Sequence, residues 1–234
     1  SDCWPEPNVT LRFHYPDPDW NDLFLQKHTN AVLAGFDETG RWVYSQTLKR
    51  GDLEQFTGHK FYLKPGRYRM VCWGNVEEHS QLSSLGKGSL FDDAFLTLES
   101  ITPKRSSDPL MYAPRPAGLS TKVLDENDAY WLTVTETGGM HEGDIDFVSA
   151  NTRFQVIVRG LDRIDGTVAP DVELDQLPVQ YGFDRKLRGG TDTYRNTLAY
   201  TTGTKGPEAR ASFYSGHFTE DTPVTVKLFS GTDG

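Results

Sequence analysis

The chain is poor in cysteine and methionine, with two Cys and three Met among 234 residues. Cys3 and Cys72 are too few to build a four-thiolate zinc site. They leave two readings open, one disulfide in an oxidising compartment or two unpaired thiols. No run approaches the ~20 apolar residues of a membrane-spanning helix. The first residue is Ser1 and no signal peptide is present, so location has to be inferred indirectly. No basic cluster interrupts a formal net charge of -9. An acidic surface repels phosphate backbones and anionic lipid, which argues against nucleic acid as a partner.

Catalytic and metal-binding patterns are also scarce. There is no Gly-x-Ser-x-Gly nucleophile elbow. Residues 84–89 (Ser-Leu-Gly-Lys-Gly-Ser) lack the residue order of a phosphate loop and read as an ordinary loop. The six histidines, His14, His28, His59, His79, His141 and His217, share no i, i+2 or i, i+4 spacing. Two acidic groups stand out, Asp17/Asp19/Asp22 in a Pro-broken loop and Glu142/Asp144/Asp146 beside His141. Either could offer carboxylates to Ca²⁺, but neither has the register of a known loop. They read as turn acids and as a solvated interdomain linker. A glycosidase pair could be assembled in many ways from 33 acids, so composition does not decide for or against one. Asn8-Val9-Thr10 matches a glycosylation sequon by chance, at the start of a strand.

What is abundant is aromatic residues (12%), with 22 Gly and 13 Pro, a composition that favours many short strands and tight turns. Period-two alternation is clear at 9–15, where Val9, Leu11 and Phe13 would face in. Pro16 and Pro18 end that run. A short helix is expected within 21–30. Residues 31–37 and 41–44 flank Asp37 and Gly40 as a hairpin. After Lys64-Pro65-Gly66, residues 67–74 form a strand with Tyr68, Met70 and Cys72 on one face and Val71 and Trp73 on the other. Residues 76–92 are read as a long loop with a helical turn. Further strands are expected near 94–98, 110–113 and 130–135. The glycine-bearing stretch 136–149 is taken as the domain boundary.

The second half contains strands at 152–160, 172–174, 181–183, 198–200, 211–214 and 224–229. A closed sandwich wants about seven, so this half is short of a strand, through a cut at the C-terminus or a strand supplied by a partner. The expected fold is all-β, two β-sandwich domains in tandem, 1–149 and 150–234, the second incomplete. Trp42, Trp73 and Trp131 lie within alternating strands and read as core, whereas Trp20 is expected to be exposed.

Several motifs carry a family resemblance. Cys3-Trp4-Pro5, the Phe13/Tyr15 strand, Phe36-Asp37-x-x-Gly40, Leu63-x-Pro65-Gly66-x-Tyr68, Val71-Cys72-Trp73-Gly74-Asn75 and Asp108-Pro109-Leu110-Met111-Tyr112 together resemble the FimB-type fimbrial anchor lipoproteins of the Bacteroidales. The likeness is closest over residues 3–115 and looser over 130–230. It implies two transthyretin-like (Greek-key) sandwiches, a cell-surface location at the outer membrane after signal-peptide removal, pilins as partners, no cofactor and no enzymatic activity. It implies a lipidated cysteine as anchor. Asp2 is not the small residue a lipidation signal wants, so that cysteine is expected upstream of Ser1, and Cys3 is free to bridge to Cys72. An incomplete sandwich exposes unpaired main-chain groups beside an apolar groove, which a partner strand can fill. The expected subunit-interface residues are Phe154, Val156 and Val158 on one strand and Val224, Val226 and Leu228 on another. A reading from another class is a surface glycan-binding lipoprotein using Trp20 as a stacking platform.

Overall fold

A computed structural model describes residues 3–54, 58–100, 103–116, 128–160, 169–203, 206–217 and 223–229. Among the described residues strands predominate, with two short α-helices, α1 (Phe24–Lys27) and α2 (Arg50–Glu54). Strands are numbered along the chain and fall into four sheets.

In the first sheet β1 (Val9–His14) lies between antiparallel β4 (His59–Phe61) and parallel β10 (His141–Asp146). In the second, β3 (Trp42–Leu48), β2 (Ala31–Asp37) and β5 (Gly66–Gly74) run side by side. The far edge of β5 is shared end to end by β9 (Tyr130–Val134), pairing with 66–70, and β8 (Met111–Ala113), pairing with 72–74. β11 (Val148–Ser149) adds to β8. The third sheet has the order β14 (Leu187–Thr197), β13 (Asp171–Gly182), β7 (Phe95–Leu98) and β6 (Ser80–Leu82). There β17 (Thr225–Phe229) pairs with β13 at 171–175, end to end with β7 at 180–182. The fourth sheet is β12 (Asn151–Arg159), β16 (Gly206–Gly216) and β15 (Ala199–Gly203).

Three cores follow from side-chain alternation. Tyr68, Met70 and Cys72 of β5 join Val9, Leu11 and Phe13 of β1 in the first core. Val71 and Trp73, on the other face of β5, pack with Phe36, Leu96, Leu98, Tyr112, Tyr181 and Phe183 in the second. The β2, β5 and β8 part of the second sheet is therefore a middle layer buried on both faces, which is why those strands read as nearly continuous apolar runs. The third core lies between Val172, Leu174 and Leu177 of β13 with Tyr194 of β14, and Ala209 and Phe213 of β16. The twelve-residue β13 thus contributes its C-terminal end to the second core and its N-terminal half to the third. It bends in between: the register shifts after Leu174 and again after Pro178, and Gln176 has φ 66°. A proline in a strand interior is accommodated at such a bulge.

Two expectations are corrected. Residues 141–146 are not a linker but a strand laid parallel to β1. Its inward positions end in buried Ile145, its acids point outward, and at Gly143 an added Cβ would stand 2.0 Å from the Tyr130 hydroxyl. Weak local β propensity is overridden there by a position only glycine can fill. Residues 76–92 are not all loop either, because β6 and then β7 leave the first half to complete the third sheet. A cut at residue 150 would separate them from β13.

Candidate subunit interface

β12 has β16 on one side and, among the described residues, no strand on the other. Along it Phe154, Val156 and Val158 turn toward the third core and are only partly covered. Phe154 stacks on Phe213 (ring centroids 5.4 Å apart), which stacks on Tyr194 (5.8 Å). Alternate residues point away: Arg153 donates to Ser212 Oγ (3.0 Å), and Arg159 pairs with Glu208 (2.6 Å). Buried Glu208 also binds Arg210, and these hydrogen bonds to the two arginines hold its carboxyl below the usual range.

The opposite wall is β17. Val226 stands across from Leu174, and Leu228 from Val172. Directly opposed residues of an antiparallel pair share a face, so Val226 and Leu228 face the same way as two buried core residues. Yet they are 60% and 50% exposed, while Val224 packs against the core. Phe154, Val156, Val158 and Val224 thus border the third core, and Val226 and Leu228 face its side of β17. Among the described residues β12 has an unpaired edge, and Val226 and Leu228 are core-facing apolar side chains left at least half exposed. Arg195 reinforces the other side of β17, over the Phe229 ring at 4.4 Å and bonded to Asp171 (2.9 Å).

The two cysteines are both free. Cys72 is buried in the first core, where desolvation raises its pKa well above the usual thiol value, whereas Cys3 is exposed. Of the two readings left open on sequence, the structure has two unpaired thiols, one buried in β5 and one exposed near the start of the chain, rather than a Cys3–Cys72 disulfide. Trp20 is 86% exposed with φ 64°, and Trp73 is buried. The acids near it organise the loop: Asp17 accepts from the Asp19 and Asn21 amides, and Asp22 from those of Tyr15 and Phe24. Among the described residues no group of three or more His, Cys, Asp and Glu is placed to hold a metal ion.

Two polar clusters were not anticipated from sequence. His14 is clamped between Asp22 (2.8 Å) and Asp144 (2.7 Å), tying β1 to its loop and to β10. Buried Asn75, at φ 62°, donates to the carbonyls of Lys27 (2.8 Å) and Pro109 (2.9 Å) and accepts from the Thr29 amide (2.7 Å). The Gly74-Asn75 pair was the only signal for the second cluster. For the first, Asp22 lies 8 residues from His14 but Asp144 lies 130 away, and nothing local joins the two acids to one histidine.

A sequence model of the fimbrillin-A associated anchor proteins Mfa1 and Mfa2 matches residues 2–234. No curated protein matches the sequence. Among solved structures, the fold is similar to that of the fimbrial anchor protein Mfa2 from Porphyromonas gingivalis, with TM-score 0.66, 16% identity, and coverage of 94% of this chain and 76% of that one. It is similar too to a candidate polysaccharide-binding protein from Bacteroides thetaiotaomicron (TM-score 0.71, 16% identity, 98% and 78% covered). A candidate adhesin from the same species is comparable (TM-score 0.69, 17% identity, 100% and 79% covered).

Proposed function

The chain belongs to the family of fimbrillin-A associated anchor proteins Mfa1 and Mfa2, and from that premise we propose that its β12–β17 margin receives a strand from a fimbrial subunit. Membership assigns it a role as a fimbrial anchor or minor subunit at the cell surface, associated with fimbrial subunits and non-enzymatic in kind. One observation carries the finer reading. Val226 and Leu228 sit on the core-facing side of β17 and are at least half exposed, and β12, whose Phe154, Val156 and Val158 border the same core, has an unpaired edge among the described residues. A strand added to β12 would gain main-chain hydrogen bonds worth ~0.5–1.5 kcal/mol each. It would also cover the two side chains, worth ~1 kcal/mol apiece for the half still exposed. The partner is a pilin segment with alternating apolar residues, as strand addition requires.

The test is a pull-down of fimbrial subunits with Val226→Asp/Leu228→Asp. Both residues are exposed, so thermal stability should stay within about 1 kcal/mol of the parent. Capture should fall ~100-fold, because two carboxylates would be buried under the incoming strand. Undiminished capture by the folded variant would remove this margin from consideration. The proposal extends to anchorage in the outer membrane by a lipid-bearing cysteine upstream of Ser1 in the full-length gene product, a point supported by the family resemblance. Metabolic labelling with a fatty acid analogue tests it, and absence of label would refute it.

A further inference from the structure

Away from that margin, the first sandwich opens between the β3 edge of the second sheet and the end of β4 in the first. A cavity of roughly 370 Å³ lies there, lined by Trp42, Val43, Tyr62, Leu63 and Tyr68 together with Lys64 and Lys87. Its size suits a ligand of one or two rings. Tyr62 is 39% exposed, and Tyr68 is fixed by its hydroxyl donating to the Lys64 carbonyl (2.7 Å). Neither lysine makes an ion pair with any described residue, on a chain of net charge -9. Desolvation and then the nearby Asp37 carboxylate raise the Tyr68 pKa, and that carboxylate is already engaged by Thr39 and by the Arg41 amide. The Trp42 Nε1–H is buried without an acceptor.

From this arrangement we infer that the cavity binds a carboxylated pyranose, an acidic sugar unit of a glycan. Aromatic faces suit the apolar C–H faces of a sugar ring, and two unpaired ammonium groups suit its carboxylate. A peptide strand is the poorer fit. The Trp42 amide, on the outer edge of β3, already donates to the Ser89 carbonyl (2.9 Å), and Arg41 is bridged to Leu90. The main-chain groups that strand addition needs are therefore taken at this point. The site is independent of the β12–β17 margin.

Titration of the intact protein with methyl β-D-glucuronide, followed by amide and Trp indole NMR shifts, tests the assignment. Saturable shifts at Trp42, Tyr62 and Lys87 are expected, with an affinity on the order of millimolar for so small a ligand. Methyl β-D-glucoside should bind about fivefold to tenfold more weakly, and Lys64→Gln/Lys87→Gln should erase that preference. Tyr62→Ala should weaken both sugars about fivefold. Equal affinity for the two glycosides, tighter binding of an acetylated tetraglutamate peptide at the same residues, or no saturable shift would each overturn it.

Discussion

Gly74→Ala is expected to damage the first core severely, and the reason lies in a close approach of helix, sheet and strand. An alanine Cβ at this position would stand 2.4 Å from His28 Cδ2 and 2.9 Å from Met111 Cβ. Neither can retreat. The His28 ring stacks on Phe24 at 4.2 Å, meets Phe147 edge-on at 4.5 Å, and is hydrogen-bonded through Nδ1 to the Phe24 carbonyl (2.9 Å). Met111 is the residue paired with Gly74 in the β5–β8 ladder, and Ala31 holds Gly74 from the β2 side. Overpacking usually costs ~1–3 kcal/mol, and with both neighbours pinned the upper end applies. At a urea slope of ~2 kcal/mol/M, a loss of about 3 kcal/mol lowers the midpoint by about 1.5 M. The neighbouring Trp73, buried in the second core, supplies the fluorescence signal. His28→Ala in both backgrounds separates the two contacts. The double variant should be less destabilised than the sum of the singles by ~1 kcal/mol or more. Rescue stays partial because Met111 Cβ remains in the way. A midpoint within about 0.3 M of the parent, or strict additivity, would refute the argument.

Asn75→Ala should cost ~3 kcal/mol, since it strands the Lys27 and Pro109 carbonyls and the Thr29 amide and puts an alanine at φ 62°. Hydrogen exchange at Thr29 reports it, and unchanged protection would contradict it. Burial pushes His28 and His217 down to about 4, so their neutral forms stabilise the fold above the unfolded-state value of 6.5. That contribution is lost as pH falls from 6.5 toward 4, up to ~3 kcal/mol for each. His14 runs the other way. Partial burial opposes its protonation, but hydrogen bonds to Asp144 and Asp22 outweigh this and raise its pKa. Its contribution is complete below pH 6.5 and fades as pH rises through the raised value. Urea midpoints between pH 4 and 8 for His28→Gln and His14→Gln should flatten the acid and alkaline sides respectively, and parallel profiles would refute both.

Alternation carried most of what was legible in the sequence. The division of β5 into Tyr68/Met70/Cys72 and Val71/Trp73 faces is the division between two cores, and the all-β class follows from many such strands. Of the six residues expected at an interface, Phe154, Val156, Val158 and Val224 border the third core for the same reason, and Val226 and Leu228 face its side of β17. What failed was whatever depends on distant partners. β10 is acidic and glycine-bearing, and it is a strand because β1 offers Arg12 and His14 to its acids, with Arg12 bonded to Glu142 at 3.1 Å. Sequence left open whether Cys3 and Cys72 pair, and in the structure both are free, Cys72 buried by the pleat of β5 and Cys3 exposed.

The strand shortage of the second half has two different physical answers. At the C-terminal end of β13, Thr97, Leu96 and Phe95 of β7 pair with Gln180, Tyr181 and Gly182, so the first half supplies the missing edge. Tyr181 and Phe183 are thereby buried against Trp73 of β5, with Tyr112 donating to the Phe183 carbonyl (2.6 Å). At the N-terminal half of β13, the same edge is taken by β17 instead. There the facing sheet ends at β12, with Val226 and Leu228 left open below. Folding has every reason to close both gaps, since each exposed apolar side chain forfeits ~1 kcal/mol or more. It closes the one within reach of β6 and β7. Among the described residues the other stays open: β12 has no second neighbour, and Val226 and Leu228 remain 60% and 50% exposed.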